Sequence, residues 1–311
     1  MNTDIVFKNV FLMLLLVVPG FIMRKAKLGS KNTARDFSFT VLYITQPALI
    51  VLSFIRPFDR QVLINAAAIL FFSFIAHVLF ILVSLLLFKR APEDIQRVLQ
   101  FGTIFSNAGF MGLPLIVSIL GDEAAIYVSV YLIWFNVFSW SVGCLIYTGD
   151  KKYISFKKAF LNPVVISIFV GLLVFLLPID TYIPDIIIDT LSHMKNTVAP
   201  MSMIVIGIRL ADIKWKGTFK DTYMAAAIFT RLLLLPTCVW LVMKLVALTG
   251  LYSDEMTMSV VLLCSATPVG ASTTMFAEKF NNNARYASKL VSLSTAFSLL
   301  TMPLISLLVK I

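Results

Sequence analysis

Charged side chains are scarce in this 311-residue sequence, where Asp, Glu, Lys and Arg together make up 14%. An average soluble domain contains about 25%. Hydrophobic residues make up 59%, and a single soluble core of this size would leave much of that apolar surface in contact with water. The shortage of charge therefore excludes an ordinary soluble domain and favours a protein surrounded by the hydrocarbon of a membrane.

Long apolar runs fill most of the chain. A helix needs roughly 20 mainly apolar residues to cross a bilayer. The sequence predicts an all-α integral membrane protein of ten transmembrane helices, numbered here as spans 1 to 10. The spans are Ile5–Met23, Phe37–Ile55, Val62–Phe88, Val98–Gly121, Ala124–Thr148, Leu161–Ile179, Thr190–Ile208, Thr222–Met243, Met256–Ala277 and Leu290–Val309.

Basic residues outnumber acidic ones by 26 to 16. With the amino terminus outside, 19 of the basic residues lie in or beside cytoplasmic loops and five lie on the opposite side. This is the positive-inside pattern. It predicts a multi-pass protein of the inner (cytoplasmic) membrane with both termini outside, and it accounts for the basic excess without a nucleic-acid partner. The 19 are Arg24, Lys25, Lys27, Lys31, Arg35, Lys89, Arg90, Arg97, Lys151, Lys152, Lys157, Lys158, Arg209, Lys214, Lys216, Lys220, Lys279, Arg285 and Lys289.

Histidine and cysteine are rare, with two and three residues. Metal-dependent hydrolysis needs clustered His and carboxylate ligands, and two separate histidines do not supply them. The three cysteines lie within predicted spans without metal-ligand spacing, and an odd number gives no disulfide framework. We therefore predict neither an enzyme nor a bound metal or cofactor.

The longest hydrophilic connection, residues 149–160, separates spans 5 and 6. It divides the chain into a first half, residues 1–148, and a second half, residues 161–311, of five spans each. An odd number of spans per half inserts the second half upside down relative to the first. The sequence therefore predicts two inverted five-helix repeats joined by a cytoplasmic linker, an architecture found in many secondary transporters.

Spans 4 and 9 are interrupted by glycine, proline and small polar residues. Span 4 reads SNAGFMGLP over Ser106–Pro114, and span 9 reads SATPVGAST over Ser265–Thr273. Proline costs about 3 kcal/mol in a helix interior and glycine about 1 kcal/mol, so both spans should unwind. Unwound backbone survives in a membrane only where protein or water supplies hydrogen-bond partners. We expect the two breaks to meet at a cavity, although glycine and proline also permit simple close packing or a kink.

Each break exposes the amino terminus of a half-helix, which carries free N–H groups and about half a positive charge. Two such ends facing a cavity form an anion site without a buried Arg or Lys. The predicted substrate-binding residues are Asn107, Gly109, Gly112, Pro114, Thr267, Pro268, Ser272 and, beside Pro47 in span 2, Gln46.

The two interrupted motifs resemble the auxin efflux carrier family, which includes plant auxin carriers and bacterial permeases for malonate and malate. The likeness rests on Ser106–Pro114, on Thr267-Pro268 and on Phe276–Glu278. It implies a fold similar to the bile-acid sodium symporters, with a scaffold of spans 1, 2, 6 and 7 and a core of spans 3, 4, 5, 8, 9 and 10. It also implies that spans 4 and 9 cross at the substrate site, and that two copies form a homodimer through the scaffold.

Four other polar residues lie in or near the spans. Lys195 is a possible charge partner for a carboxylate substrate; alternatively it snorkels or pairs with Asp189. His193 is a candidate proton relay or a satisfied residue near a helix end. Glu278 is a candidate for a coupling cation or a surface residue, and Arg231 is expected to pair with a carbonyl or carboxylate between helices.

These features predict a secondary transporter, either a permease or an efflux carrier, for a small organic anion such as malate, malonate or an auxin-like carboxylate. Transport would proceed by alternating access at the crossing of spans 4 and 9. The alternative is a channel or a membrane receptor without transport turnover.

The charge asymmetry generates a prediction about topology. Alkaline phosphatase, which is active only outside, should be active when fused to either terminus, and a fluorescent protein inserted in residues 149–160 should fluoresce inside. Inactive phosphatase at both termini would contradict the ten-span plan.

Overall fold

The structure, a computed structural model, describes residues 3–30, 32–177, 179–212 and 221–309. Among these residues all regular structure is helical, apart from one isolated antiparallel bridge. The predicted all-α class is therefore confirmed. Of the basic residues assigned to loops, Lys31, Lys214, Lys216 and Lys220 lie outside the described residues, as does Lys310 at the carboxyl end.

Twelve helices, numbered in chain order, make up most of the described chain. They are α1 (Thr3–Lys25), α2 (Thr33–Phe54), α3 (Arg60–Leu87), α4 (Glu93–Ile104), α5 (Ala108–Leu120), α6 (Ala124–Thr148), α7 (Pro163–Leu176), α8 (Asp185–Ala211), α9 (Thr222–Leu248), α10 (Glu255–Ala266), α11 (Ser272–Lys279) and α12 (Ala284–Ser306). Short helical turns and a five-residue helix, Phe156–Phe160, connect α6 to α7.

Several of these helices have the length and composition of membrane spans. Within the described residues six segments qualify, namely α2, α3, α6, α9, α12 and the segment Lys151–Leu176 that contains α7. The two helices α5 and α10 are shorter but also apolar. Large apolar side chains such as Leu86 (75% exposed) and Leu300 (70% exposed) remain uncovered, as expected where the surrounding solvent is lipid. The chain is a multi-pass membrane protein.

The predicted interruptions are present in both motifs. Span 4 consists of α4 and α5, and span 9 consists of α10 and α11. In the first motif only residues 105–107 leave the helix, and the next five, Ala108–Gly112, form a π-helical turn. The break in span 4 is therefore shorter than the sequence motif.

Wider π-helical turns precede three of the helix prolines. The turns Val41–Thr45, Ala108–Gly112 and Thr230–Leu234 are each followed two residues later by a proline, Pro47, Pro114 and Pro236 respectively. A proline lacks the N–H donor and clashes with the carbonyl four residues earlier. A π-helical turn is wound more widely than an α-helical one, so these prolines bend and widen their helices without ending them.

Contacts between helix ends define two faces of the bundle. On one face, Arg24 pairs with Asp212 (2.8 Å) and Arg97 Nη1 donates to the carbonyl of Tyr147 (2.8 Å). We call it the basic face because Lys25, Lys89, Arg90 and the basic linker lie at helix ends on this side. On the other, here the opposite face, Arg56 pairs with Glu123 (3.0 Å).

Helices from the two halves pack tightly where glycine permits it. At Gly20 in α1 a Cβ atom would lie 2.0 Å from the carbonyl oxygen of Ile204, and at Gly207 in α8 it would lie 2.1 Å from that of Val17. The backbones of α1 and α8 therefore touch, as is common where small residues line a helix interface in a membrane.

Candidate functional site

The two unwound segments lie side by side and bond to each other. The N–H of Asn107 donates to the carbonyl of Pro268 (2.7 Å), and the N–H of Gly270 donates to the carbonyl of Phe105 (2.8 Å). These bonds flank the antiparallel bridge between Ser106 and Val269. Each break thus satisfies polar backbone groups of the other, which is the condition for non-helical backbone within a membrane. We call this pair of segments the crossing.

Glycines allow the crossing to close. A Cβ at Gly270 would lie 2.9 Å from the carbonyl oxygen of Ser106, and a Cβ at Gly112 would lie 2.9 Å from Cγ2 of Thr267. Contacts this short leave no room for a larger residue without a shift of the backbone or the threonine. Gly112 and Gly270 are therefore explained by close approach as well as by unwinding.

Arg231, in α9, binds both halves of the crossing. Its fully buried guanidinium donates hydrogen bonds to four backbone carbonyls and lies 4.7 Å from the centroid of the Phe80 ring. The acceptors are the carbonyl oxygens of Thr103 (3.1 Å) and Ile104 (3.4 Å) at the end of α4, and of Ser265 and Thr267 (3.2 Å for Thr267) at the end of α10. The prediction that Arg231 bonds to carbonyls between helices is confirmed.

The acceptors of Arg231 all lie at carboxyl ends of half-helices. Such an end carries about half a negative charge, so one guanidinium matches the two ends in charge as well as in hydrogen bonding. The opposite ends of the break, the amino termini of α5 and α11, receive no contact from Arg231. At α11 the N–H groups of Thr273 and Thr274 donate to the carbonyls of Gly270 (2.9 Å) and Ala271 (3.2 Å), just before the helix. Both amino termini border a cavity, towards which they present the positive ends of their helix dipoles.

The cavity has a volume of about 250 Å³ and lies between the crossing and the helices α2, α6, α7 and α8. Phe110, Phe135, Trp140 and Phe276 supply aromatic surface to it. Its polar lining residues are Ser38, Tyr43, Gln46, Ser106, Asn107, Asn136, Ser139, Asn162, Arg209 and Ser272. Because Ser38, Asn162 and Arg209 belong to helix ends of the basic face, the cavity extends towards that face.

Three of the polar side chains are held close to the half-helix amino termini. Gln46 is fully buried and donates through Nε2 to the carbonyl of Gly109 (3.1 Å). The hydroxyl of Ser272, at the start of α11, is buried without a hydrogen-bond partner in the described structure. Asn107 likewise has no side-chain hydrogen bond to another described residue. Ser272 and Asn107 therefore offer unused donors beside the cavity.

The predicted substrate-binding residues divide into two groups. Gln46, Asn107, Gly109 and Ser272 line the cavity. The other four, Gly112, Pro114, Thr267 and Pro268, are buried in or beside the crossing and do not line it. These four shape the backbone: Pro268 and Thr267 accept hydrogen bonds through their carbonyls, and Gly112 packs against Thr267.

Lys195 is distant from this cavity and forms an ion pair with Asp122 on the opposite face. The pair borders a second cavity of about 240 Å³. The alternative pairing with Asp189 is not formed, because six residues along a helix place the two side chains roughly 120° apart around the axis. His193 is exposed on α8 and is not brought to the crossing cavity.

Glu278 lies exposed near the end of α11 and interacts electrostatically with Arg209. Arg209 itself was not among the predicted site residues. The charge count places it in or beside a cytoplasmic loop, one residue past the expected end of span 7, whereas it lies in the last turn of α8 and lines the cavity. The apolar residues around it, Ile208, Leu210 and Ala211, are the signal that the helix continues past the expected end of span 7.

A bundle of apolar helices with a polar cavity beside two broken helices defines the class of membrane transporters. The family model described as "membrane transport protein" matches residues 5–306. The chain belongs to this family, which is that of the auxin efflux carriers, so the resemblance found in the sequence is confirmed. It is a family of transporters and not of enzymes. A comparison with curated proteins finds no match.

The contacts of Arg231 generate a prediction about stability. Replacing it with Met should lower the free energy of unfolding by about 3 kcal/mol or more, because several buried carbonyls lose their donor. Arg231→Lys should recover only part of this, since one ammonium cannot span four acceptors. Thermal unfolding in detergent measures both, with Arg209→Met as a control that leaves the crossing intact. Equal stability of Arg231→Met and the wild type would contradict this role.

Proposed function

We propose that this protein is a secondary transporter of a small organic anion, bound in the cavity beside the crossing. One observation carries the proposal. Arg231 binds the carboxyl ends of α4 and α10, whereas the amino ends of α5 and α11 border the cavity. The negative half-helix ends are thus neutralised within the protein, and the positive ends are left for a ligand.

The other charges around the cavity favour the same sign of ligand. Arg209 lines it, and although Glu278 interacts electrostatically with Arg209, no Asp or Glu among the described residues lines the cavity. Asn107 and Ser272 add neutral donors, which bind a carboxylate oxygen well because hydrogen bonds to ionised groups are stronger than those between neutral groups. A cation would meet repulsion from Arg209 and from both helix termini.

The size and walls of the cavity suit a small carboxylate. Its volume of about 250 Å³ is below the range of roughly 300–1,000 Å³ typical of sites for drug-sized ligands. Aromatic residues supply an apolar wall for the hydrocarbon part of the substrate. Malate, malonate and an auxin-like carboxylate are the candidates that we propose to test.

We also propose the ten-span plan for the whole chain, with α4–α5 and α10–α11 as equivalent broken spans of two inverted repeats. The scaffold would comprise α1, α2, α7 and α8, and the core would comprise α3 to α6 and α9 to α12. The contact between α1 and α8 supports this grouping. By the positive-inside rule the basic face is cytoplasmic and both termini lie outside the inner membrane. Homodimerisation through the scaffold is a proposal from the family likeness.

Alternating access is the proposed mechanism, and the described conformation corresponds to one in which the cavity extends towards the basic face. On the opposite face, Lys195 pairs with Asp122 and Arg56 pairs with Glu123 (3.0 Å). Lys195 lies in α8 of the proposed scaffold and Arg56 lies two residues after α2, and both pair with the turn between α5 and α6 in the proposed core. They therefore hold the opposite face closed, and opening it requires their separation.

Counterflow of labelled malate in proteoliposomes tests the transport proposal. We expect saturable uptake by the wild type and at least a tenfold reduction in Asn107→Ala, a loss of more than about 1.4 kcal/mol in substrate binding. Competition with unlabelled malonate, auxin and a bile acid identifies the substrate class. Asn196→Ala, at an exposed position on α8, is the matched control and should transport normally.

Two results would contradict the proposal. Folded wild-type protein without counterflow of any of these anions would remove the substrate class. Non-saturable flux that is independent of internal anion would favour the alternative function, a channel.

The ion pairs of the opposite face generate a second prediction. A cysteine at Ser272, inside the cavity, should react slowly with an impermeant maleimide added from the opposite side. Lys195→Met and Arg56→Met should each increase that rate, by up to about fivefold, because a partly exposed ion pair contributes at most about 1 kcal/mol. The control is Arg24→Met, which removes an ion pair of the basic face. An equal increase in the control, or none in the two variants, would show that these pairs do not keep the face closed.

A further inference from the structure

Two lysines from distant parts of the chain share one aromatic ring. The ammonium of Lys279, at the end of α11, lies 4.3 Å from the centroid of the Trp140 indole, and that of Lys158 lies 5.3 Å from it. Lys158 belongs to the short helix Phe156–Phe160 in the linker. Both lysines are exposed, and they interact with each other as like charges. The arrangement places two positive charges side by side at the basic face.

Among the described residues no carboxylate pairs with either of these two charges. Within the described part of the chain neither lysine forms an ion pair. Lys152 in the same linker provides a contrast: it also lies over an aromatic ring, that of Tyr153 (5.1 Å), but its ammonium is neutralised by Asp150 (2.8 Å). Like charges in contact destabilise each other, so the Lys158 and Lys279 pair is in an unfavourable state that a bound anion would relieve.

The indole makes the pair a defined site. Cation–π attraction to Trp140 holds each ammonium near the ring, and the linker is tied to the same residue by a hydrogen bond from the N–H of Ser155 to the Trp140 carbonyl (3.0 Å). Trp140 also lines the crossing cavity. The pair therefore lies at the edge of the cavity, with a rigid apolar wall beneath it.

We propose that Lys158, Lys279 and Trp140 form an oxyanion-binding site, separate from the crossing, that takes a carboxylate or phosphate group between the two ammoniums. The chemistry is shared by a free anion and by the headgroup of an anionic lipid, which concentrates at basic surfaces of membrane proteins. Because Lys158 lies in the linker and Lys279 at the end of α11, an anion here ties the linker to the half-helix that borders the cavity.

Fluorine NMR of protein containing 5-fluorotryptophan tests the site. The chain has four tryptophans, and Trp140→Phe identifies the signal of Trp140. In neutral detergent, replacing chloride by inorganic phosphate at constant ionic strength should shift that signal with saturation. Lys158→Gln and Lys279→Gln should each weaken the apparent affinity about tenfold, because each removes a charge-assisted hydrogen bond. Lys152→Gln, the matched control, should leave it unchanged.

Asn107→Ala separates this site from the crossing, since it should impair counterflow and leave the Trp140 response intact. The proposal is overturned by an unsaturable response, by a response that survives in both lysine variants, or by its loss in Asn107→Ala. Nanodiscs distinguish the two sources. If the phosphate response seen in discs of neutral lipid disappears in discs that contain phosphatidylglycerol, the ligand of the site is a lipid headgroup. An equal response in both kinds of disc identifies a free anion as the ligand.

Discussion

The structure depends on the requirement that backbone polar groups buried in a membrane find partners within the protein. Two broken helices leave carbonyls and N–H groups without helical partners inside the membrane, and each such group costs several kcal/mol if it stays unsatisfied. The breaks solve part of this by bonding to each other through Asn107 and Gly270. Arg231 satisfies four of the carbonyls, because its planar guanidinium presents several donors at fixed angles. A lysine could satisfy fewer of them.

The contacts of Arg231 also make the electric field around the crossing asymmetric. The two helix breaks together create two positive and two negative ends, and a symmetric arrangement would attract neither sign of ion. Since the buried cation at Arg231 binds only the negative ends, the local field on the cavity side is that of the two positive ends, with Arg209 adding to it. Arg231 therefore stabilises the fold and also supports our proposal of an anionic substrate, although it does not line the cavity.

Much of this was predictable from the sequence, and what was missed has physical reasons. The membrane class and the two breaks follow from composition and from glycine and proline, whose effects are local. The partner of Lys195 was not predictable, because Asp122 lies 73 residues away and periodicity carries no information on such contacts. Arg209 was missed because the end of the apolar run was taken as the end of the helix, so that its charge was assigned to the neighbouring loop. Pro114 was expected to unwind its helix, but the π-helical turn before it accommodates the ring.

The strengths of these contacts indicate where the protein can move. The crossing is joined by backbone bonds and by Arg231, all buried, and separating its two halves would expose several unpaired groups at once. The opposite face is held by ion pairs such as Arg56 with Glu123, whose side chains are 32% and 38% exposed, and pairs of that kind contribute at most about 1 kcal/mol each. A transport cycle of the kind we propose would therefore keep the crossing intact as one body and slide it against the scaffold. Rearrangement within the crossing would break the strongest contacts to preserve the weakest.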